Sequence, residues 1–296
     1  MTYMRVTESS ITNKVLNNLQ NNITRMGDIQ NRLSGGKQLS RPSDSPSGTT
    51  SALSLRSDIR TQEQYTRNAE DGMGWLNTID TALTSASTQV NRARELVLQG
   101  MSSGTAGSST ARVAVASEVK NIRDSLIGVA NSTYLGRPVF GGAASGSLAY
   151  NADGSYNGQG GSVMRTIGDN TKIAVNSDGT QAFGTGNTQL FTVLADIADH
   201  LENDPSQLGN DLTRLDTAIS KLQTEIADVG SRTNRVSQMR DAADSRIVSF
   251  KTQLSDIEDI DLPMTITELT LQQTAYQAAL AATAKVVQPS LVDFLK

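Results

Sequence analysis

No cysteine occurs in the 296 residues, so neither a disulfide framework nor a thiolate metal site is possible. Histidine occurs once, as His200 in DIADHLEND. A Ser-His-Asp hydrolase would have to be built on that residue. It stands just before the Asp204–Pro205 break and reads as a surface residue near a helix end. No other His or Cys is spaced for zinc. Aromatic residues make up only 4% of the chain. A compact enzyme core uses more of them, so the composition points to long helices with narrow apolar seams. No run of about 18 apolar residues exists, which excludes a spanning helix and membrane insertion. The first residues, MTYMRVTESSITNK, have no apolar core of secretory length. Taken alone, that argues for the cytoplasm. The net charge is -4 with a pI near 5.1, so no basic stripe advertises nucleic acid.

Nucleotide motifs are missing as well, and no cofactor is expected. GGK at 35–37 invites a phosphate-loop reading, but that loop needs G-x-x-x-x-G-K followed by Ser or Thr. Gln38 follows Lys37, and Asn31 stands where the first glycine belongs. GQGGS at 158–162 lacks the spacing of a dinucleotide fingerprint. The acidic EDID at 258–261 lacks the glycine and spacing of a calcium loop and reads as a solvated helix end.

What is present is heptad order. Leu76, Ile79, Leu83, Ala86, Val90, Ala93 and Val97 alternate three and four apart. So do Leu212, Leu215, Ile219, Leu222, Ile226 and Val229, with the register running on through Thr233 and Val236. It resumes, with a possible shift, at Ala243, Ile247, Phe250, Leu254 and Ile257. A helix over 210–257 is expected, about 70 Å long at 1.5 Å per residue. A shorter seam uses Val115, Val119, Ile122, Leu126 and Val129. The MSSGTAGSST stretch at 101–110 reads as a turn between helices.

Residues 134–190 are glycine-dense. YNADGSYNG and VNSDGTQAFG each set Asp-Gly between β-prone runs, a hairpin signal. Asp153, Asp169 and Asp178 are the acids an outer-domain glycan-binding or hydrolytic site would use; the plainer reading gives them to turns. At the ends, Leu16, Leu19, Ile23, Met26 and Leu33 form one seam, and Leu269, Gln273, Tyr276, Leu280 and Val287 another. Pro263 is expected to end the preceding helix. A short isolated helix pair is marginal in water. The termini are therefore expected to be poorly ordered in a monomer and to fold when copies pack. Docking along the rod as a closed bundle is the alternative.

The expected fold is mainly α: an elongated antiparallel bundle or coiled coil from both chain ends, with a small inserted β-rich domain. Residues 1–40 and 262–296 are the terminal helices, 41–133 and 191–261 the long rod, and 134–190 the outer domain.

Several stretches resemble the bacterial flagellin family. RNAEDGMGWLNTIDTALTSASTQVNRARELVLQG at 67–100 carries the N-terminal landmarks in order. ADVGSRTNRV (227–236) and LSDIEDIDLP (254–263) resemble the C-terminal half. LSGGKQLSRPSDSPSG at 33–48 is similar to the family's loop, with Gln38 and Ser45 departing from its usual Arg and Asp. RPSDSP at 41–46 and PSLVDFL at 289–295 resemble the family's hook–filament junction members more than its filament members.

The resemblance implies a structural subunit, not an enzyme, that leaves the cell through the flagellar type III channel without a cleaved signal. It implies a place between hook-associated protein 1 and flagellin, self-association in a ring or helical layer, and an export chaperone in the cytoplasm. Filament flagellin is the alternative, and an adaptor or tip of another type III system a more remote one. The implied assembly interface is Leu16, Leu19, Ile23, Met26, Leu33, Leu269, Tyr276, Leu280, Val287, Leu291 and Phe294. Lys37, Arg41, Pro42, Asp44 and Pro46 carry the loop motif. Asp44 or Ser47 is expected to cap the helix starting near Pro46, and Lys37 and Arg41 to meet acids of a neighbour. Gln272, Gln273 and Gln277 are candidates for a polar channel wall.

Overall fold

The computed structural model describes residues 8–102, 108–144, 146 and 148–287. The described chain is mainly helical. Its order is α1 (Glu8–Gly35), α2 (Pro46–Met101), α3 (Ser109–Ala130), β1 (Thr133–Tyr134), β2 (Arg137–Pro138), β3 (Met164–Gly168), β4 (Thr171–Ala174), α4 (Gly179–Phe183), α5 (Leu190–Asn203), α6 (Leu208–Glu258) and α7 (Leu262–Val287). Two compact units are formed: Met1–Arg60 with Val248–Lys296, and Thr61–Ile247.

The second unit holds the main core. Leu76, Ile79, Leu83, Ala86, Val90, Ala93 and Val97 on α2 are all completely buried. On α6, Leu208, Leu215, Leu222, Val229, Val236 and Ala243 are buried at an unbroken seven-residue spacing. Met239 and Arg240, both half-buried, carry the register to Ala243, so the shift left open by the sequence does not occur. Val115, Val119 and Leu126 bury the inner face of α3, which packs against α5. Ser108 starts α3 as an N-cap, accepting the Ala111 N–H at 3.4 Å.

Each sheet is a two-stranded antiparallel ribbon, β1 with β2 and β3 with β4. Two-stranded ribbons are marginal alone, and both lean on helices. The Arg165 guanidinium meets Asp71 at 2.6 Å, and the Asn68 amide donates to the Thr166 carbonyl at 2.7 Å. The Ser177 hydroxyl donates to Glu225 at 2.6 Å, and Arg232 donates to the Asn176 carbonyl at 2.9 Å. Five of the twelve aromatics, Phe140, Tyr150, Tyr156, Phe183 and Phe191, stack among themselves with centroids 4.9–5.7 Å apart. Phe191 belongs to α5, so this cluster fastens the glycine-dense segment to the helices.

The first Asp-Gly turn forms as expected. The Asn151 N–H donates to the Ser155 carbonyl at 3.0 Å, and Gly154 takes φ +91°. The second does not. Asp178 instead caps α4, accepting from the Thr180 N–H at 2.9 Å. Its side chain captures the backbone donor two residues on, which starts a helical turn rather than a hairpin. The β3–β4 hairpin turns at Asp169–Asn170, where Asn170 adopts φ +56°.

His200 lies in the last turn of α5, more enclosed than a surface residue. Its Nδ1 is 2.6 Å from Asp211, which is buried and also accepts from Arg214 at 3.1 Å. Asp211 sits in the first turn of α6.

Candidate assembly interface

The first unit pairs α1 with α7, and the pairing explains which residues are sheltered. On α1 the less exposed positions are Val15, Leu19, Asn22, Met26, Ile29 and Leu33. On α7 they are Thr265, Leu269, Gln272, Tyr276, Ala279 and Thr283. Both sets alternate three and four apart, a coiled-coil seam. The helices run antiparallel, since Asn22 meets Gln272 while Gly36 meets Ile260.

The turns at the base of this pair form a compact polar knot. Gly36 leaves α1 at φ +66°, a left-handed value that glycine adopts without strain. Lys37 then bridges to Asp259 in a short antiparallel contact. The Gln38 N–H donates to the Glu258 carbonyl at 2.6 Å, and the Ile260 N–H to the Gly36 carbonyl at 3.2 Å. The Lys37 ammonium lies 2.5 Å from Asp259 and 3.5 Å from Glu258. Arg56 of α2 reaches the Glu258 carboxylate at 2.9 Å. Hydrogen bonding to Asp259 raises the Lys37 pKa, and the same contact lowers that of Asp259.

EDID is therefore not a solvated helix end. Glu258 is buried between two cations, and Asp261 caps α7, accepting from the Met264 N–H at 3.0 Å. Pro263 lies in the first turn of α7 and starts that helix; α6 has already ended at Glu258.

Asp44 and Ser45 divide the work in the loop. Asp44 accepts the backbone N–H groups of Ser40 and Arg41 at 3.1 and 2.8 Å, closing the turn around exposed Pro42. Ser45, not Asp44 or Ser47, caps α2, accepting from the Gly48 N–H at 3.1 Å with Pro46 as the first helical residue. Lys37 meets acids of its own chain, while Arg41 is exposed. Glu258→Gln removes the buried charge and keeps the shape. It is expected to raise hydrogen exchange at the Gln38 and Ile260 amides about tenfold, the worth of one charge-assisted hydrogen bond. Exchange measured by NMR at those two amides checks this.

Of the residues named from sequence, Leu19, Met26, Leu33, Leu269 and Tyr276 line the seam within the chain. Leu16, Ile23 and Leu280 do not; they are 50%, 47% and 43% exposed. Leu291 and Phe294 lie outside the described residues, as does the side chain of Val287. The seam position assigned to Gln273 belongs to Gln272, and Gln273 and Gln277 are exposed. Sequence reading missed Asn22, Ile266, Met264 and Leu271. The last three, with Leu262, each leave about half or more of their surface to water.

These exposed residues are ordered. Leu16, Ile23, Ile266 and Leu280 each follow a seam position by one residue. An antiparallel pair has a two-fold axis normal to its plane, which brings equivalent positions of both helices to one flank. With exposed Gln30 and Gln273, which follow seam positions in the same way, Leu16, Ile23, Ile266 and Leu280 make a mainly apolar flank. Met264 and Leu271 add a second patch on α7, a shallow, mainly apolar depression lined also by Pro263 and Thr267 and edged by Asp261 and Glu268. A helix apolar on several sides is normally surrounded by protein. Among the described residues, no helix is long and apolar enough to cross a membrane.

The acids considered for outer-domain chemistry serve structure. Asp153 accepts from the Ser155 N–H and hydroxyl at 2.8 and 2.6 Å. Asp169 accepts from the Tyr65 hydroxyl at 3.1 Å, and Asp178 is the α4 cap.

Two family models, the bacterial flagellin N-terminal and C-terminal helical regions, match residues 6–144 and 212–295. The chain belongs to the bacterial flagellin family. It is a structural protein of the flagellum. It is 25% identical over 300 residues to flagellin of Bacillus subtilis, covering 96% of this chain and 97% of the relative. It is 24% identical over 277 residues to flagellar hook-associated protein 3 of Escherichia coli, covering 85% and 87%. The fold is similar to the crystal structure of Bacillus cereus FlgL, with TM-score 0.60, 18% identity, and coverage of 68% of this chain and 99% of that one.

Proposed function

We propose that this chain is the structural subunit of the hook–filament junction, joining hook-associated protein 1 to flagellin and allowing the filament to grow. The observation that carries an assembly role is the apolar flank of the α1–α7 pair. One chain leaves Leu16, Ile23, Ile266 and Leu280 half in water, and side-by-side copies would bury them. Burying a side chain of that size contributes about 1.5–3 kcal/mol when complete. The terminal helices thus gain in a ring or layer what a lone pair lacks, and we infer that they become fully ordered there. The junction reading, rather than a filament one, rests on the RPSDSP loop, the PSLVDFL ending and the shortness of segment 134–190, read from sequence as one small outer domain. On this reading the chain catalyses nothing and is exported through the flagellar type III channel without a cleaved signal. A chaperone covers the apolar faces of α7 beforehand.

The full-length likeness to Bacillus subtilis flagellin favours a second reading, the filament subunit itself. Deleting the gene separates the two. The junction role predicts hooks without filaments and a distinct flagellin released as monomer into the medium. Loss of the filament with no flagellin anywhere would identify the filament subunit. Normal filaments would sink both.

A further inference from the structure

The seam of the α1–α7 pair is apolar except at a few places, and those places are not alike. Thr265 and Thr283 satisfy their hydroxyls on carbonyls of their own helix, Asp261 and Ala279, each at 2.7 Å. They ask nothing of α1. Asn22 and Gln272 face each other instead. The Gln272 amide is 3.3 Å from the Asn22 side-chain oxygen and 3.5 Å from its backbone carbonyl. Both side chains are half-buried in the seam.

We propose that Asn22 and Gln272 form a register key, admitting one alignment of α1 against α7 and rejecting the neighbouring ones. Heptad seams are self-similar, so sliding by seven residues keeps the apolar positions facing one another. It does not keep the amides together. A slip in one direction sets Asn22 against Ala279 and Gln272 against Ile29. A slip in the other sets them against Thr265 and Val15. Either way the amides lose each other in a mainly apolar seam, which suppresses the slipped alignments about tenfold, the worth of one hydrogen bond between half-buried groups. The base of the pair is pinned separately by the Lys37–Asp259 bridge. The key acts more than a dozen residues further along α1, where many similar helices packed side by side would offer competing alignments. This inference concerns the terminal pair alone and holds whether the chain sits at the junction or in the filament.

The absence of native cysteine makes the test direct. Full-length chains carrying Lys37→Ala, to release the base, receive Leu19→Cys with Tyr276→Cys for the native alignment. Leu19→Cys with Leu269→Cys, or with Thr283→Cys, reports the slipped ones. Mild oxidation traps transient pairing, so a marginal pair still registers, and intrachain disulfides are counted by peptide mass spectrometry. With Asn22 and Gln272 present, the native cross-link is expected to exceed the slipped ones about tenfold. With Asn22→Leu and Gln272→Leu together, the three yields are expected to fall within about threefold of one another. The proposal is overturned if the leucine pair keeps the native alignment alone. It is equally overturned if the amide pair already slips, or if no cross-link forms in either chain.

Discussion

Replacing Asp211 with alanine is expected to lower the melting temperature of the Thr61–Ile247 unit by about 6–12 °C. Asp211 is buried and accepts from both His200 and Arg214. It also places a negative charge in the first turn of α6, where the helix dipole favours one. Losing these charge-assisted bonds costs about 3 kcal/mol, since the two donors left behind are partly exposed and Arg214 keeps Asp196 at 2.8 Å. At about 2–4 °C per kcal/mol for a unit of this size, that gives the stated range. The hydrogen bond to Asp211 raises the His200 pKa above its unfolded value. Protonated His200 therefore stabilises the fold fully below about pH 6.5, and the contribution fades as pH rises through the higher folded value. The alanine variant should lose most of this pH dependence, keeping only the weaker pull of Asp196 and Asp199 on the imidazolium. Calorimetric melts across that window check both parts; an unchanged melting temperature would remove the pair from any account of the α5–α6 turn.

Ile23→Glu combined with Leu280→Glu is expected to abolish filament growth in cells while leaving the Thr61–Ile247 unit as stable as before. Both side chains stand on the apolar flank, 47% and 43% exposed, so one chain accepts the charges at little cost. A packed layer does not, because each copy would bury unpaired carboxylates against its neighbour. The loss of association is expected to exceed about 100-fold. Asn18→Glu, on the opposite and polar flank, serves as the control and is expected to remain close to the parent. Electron microscopy of complemented deletion cells reads the result. Normal filaments from the doubly charged variant would mean that this flank faces water in the assembly.

Sequence periodicity and chain-long contacts differ in how readily they are read. The α2 stripe from Leu76 to Val97 and the α6 stripe were legible because each is a local pattern that meets one apolar surface. The two ends were harder. Leu16 and Val15, or Gln273 and Gln272, differ by one residue, and a weak seam allows either phase. Which phase faces inward depends on the other helix, some 250 positions away. Glu258 was misread for a similar reason. An acid in an EDID run looks solvated until Lys37 and Arg56 arrive from the far end of the chain. Asp178 was misread locally: Asp-Gly suits both a hairpin and a helix cap, and the residue after it decided the matter.

The seven-residue spacing of Leu208, Leu215, Leu222, Val229, Val236 and Ala243 has a mechanical consequence. On a straight α-helix a strict heptad drifts about 20° per repeat, so five repeats would carry the stripe about 100° around the axis. Every member is nevertheless buried, so the surface that covers α6 follows the stripe around the helix. Such a stripe couples sliding to turning: shifting α6 lengthwise along its cover without rotating it would carry successive members of the stripe out of the core.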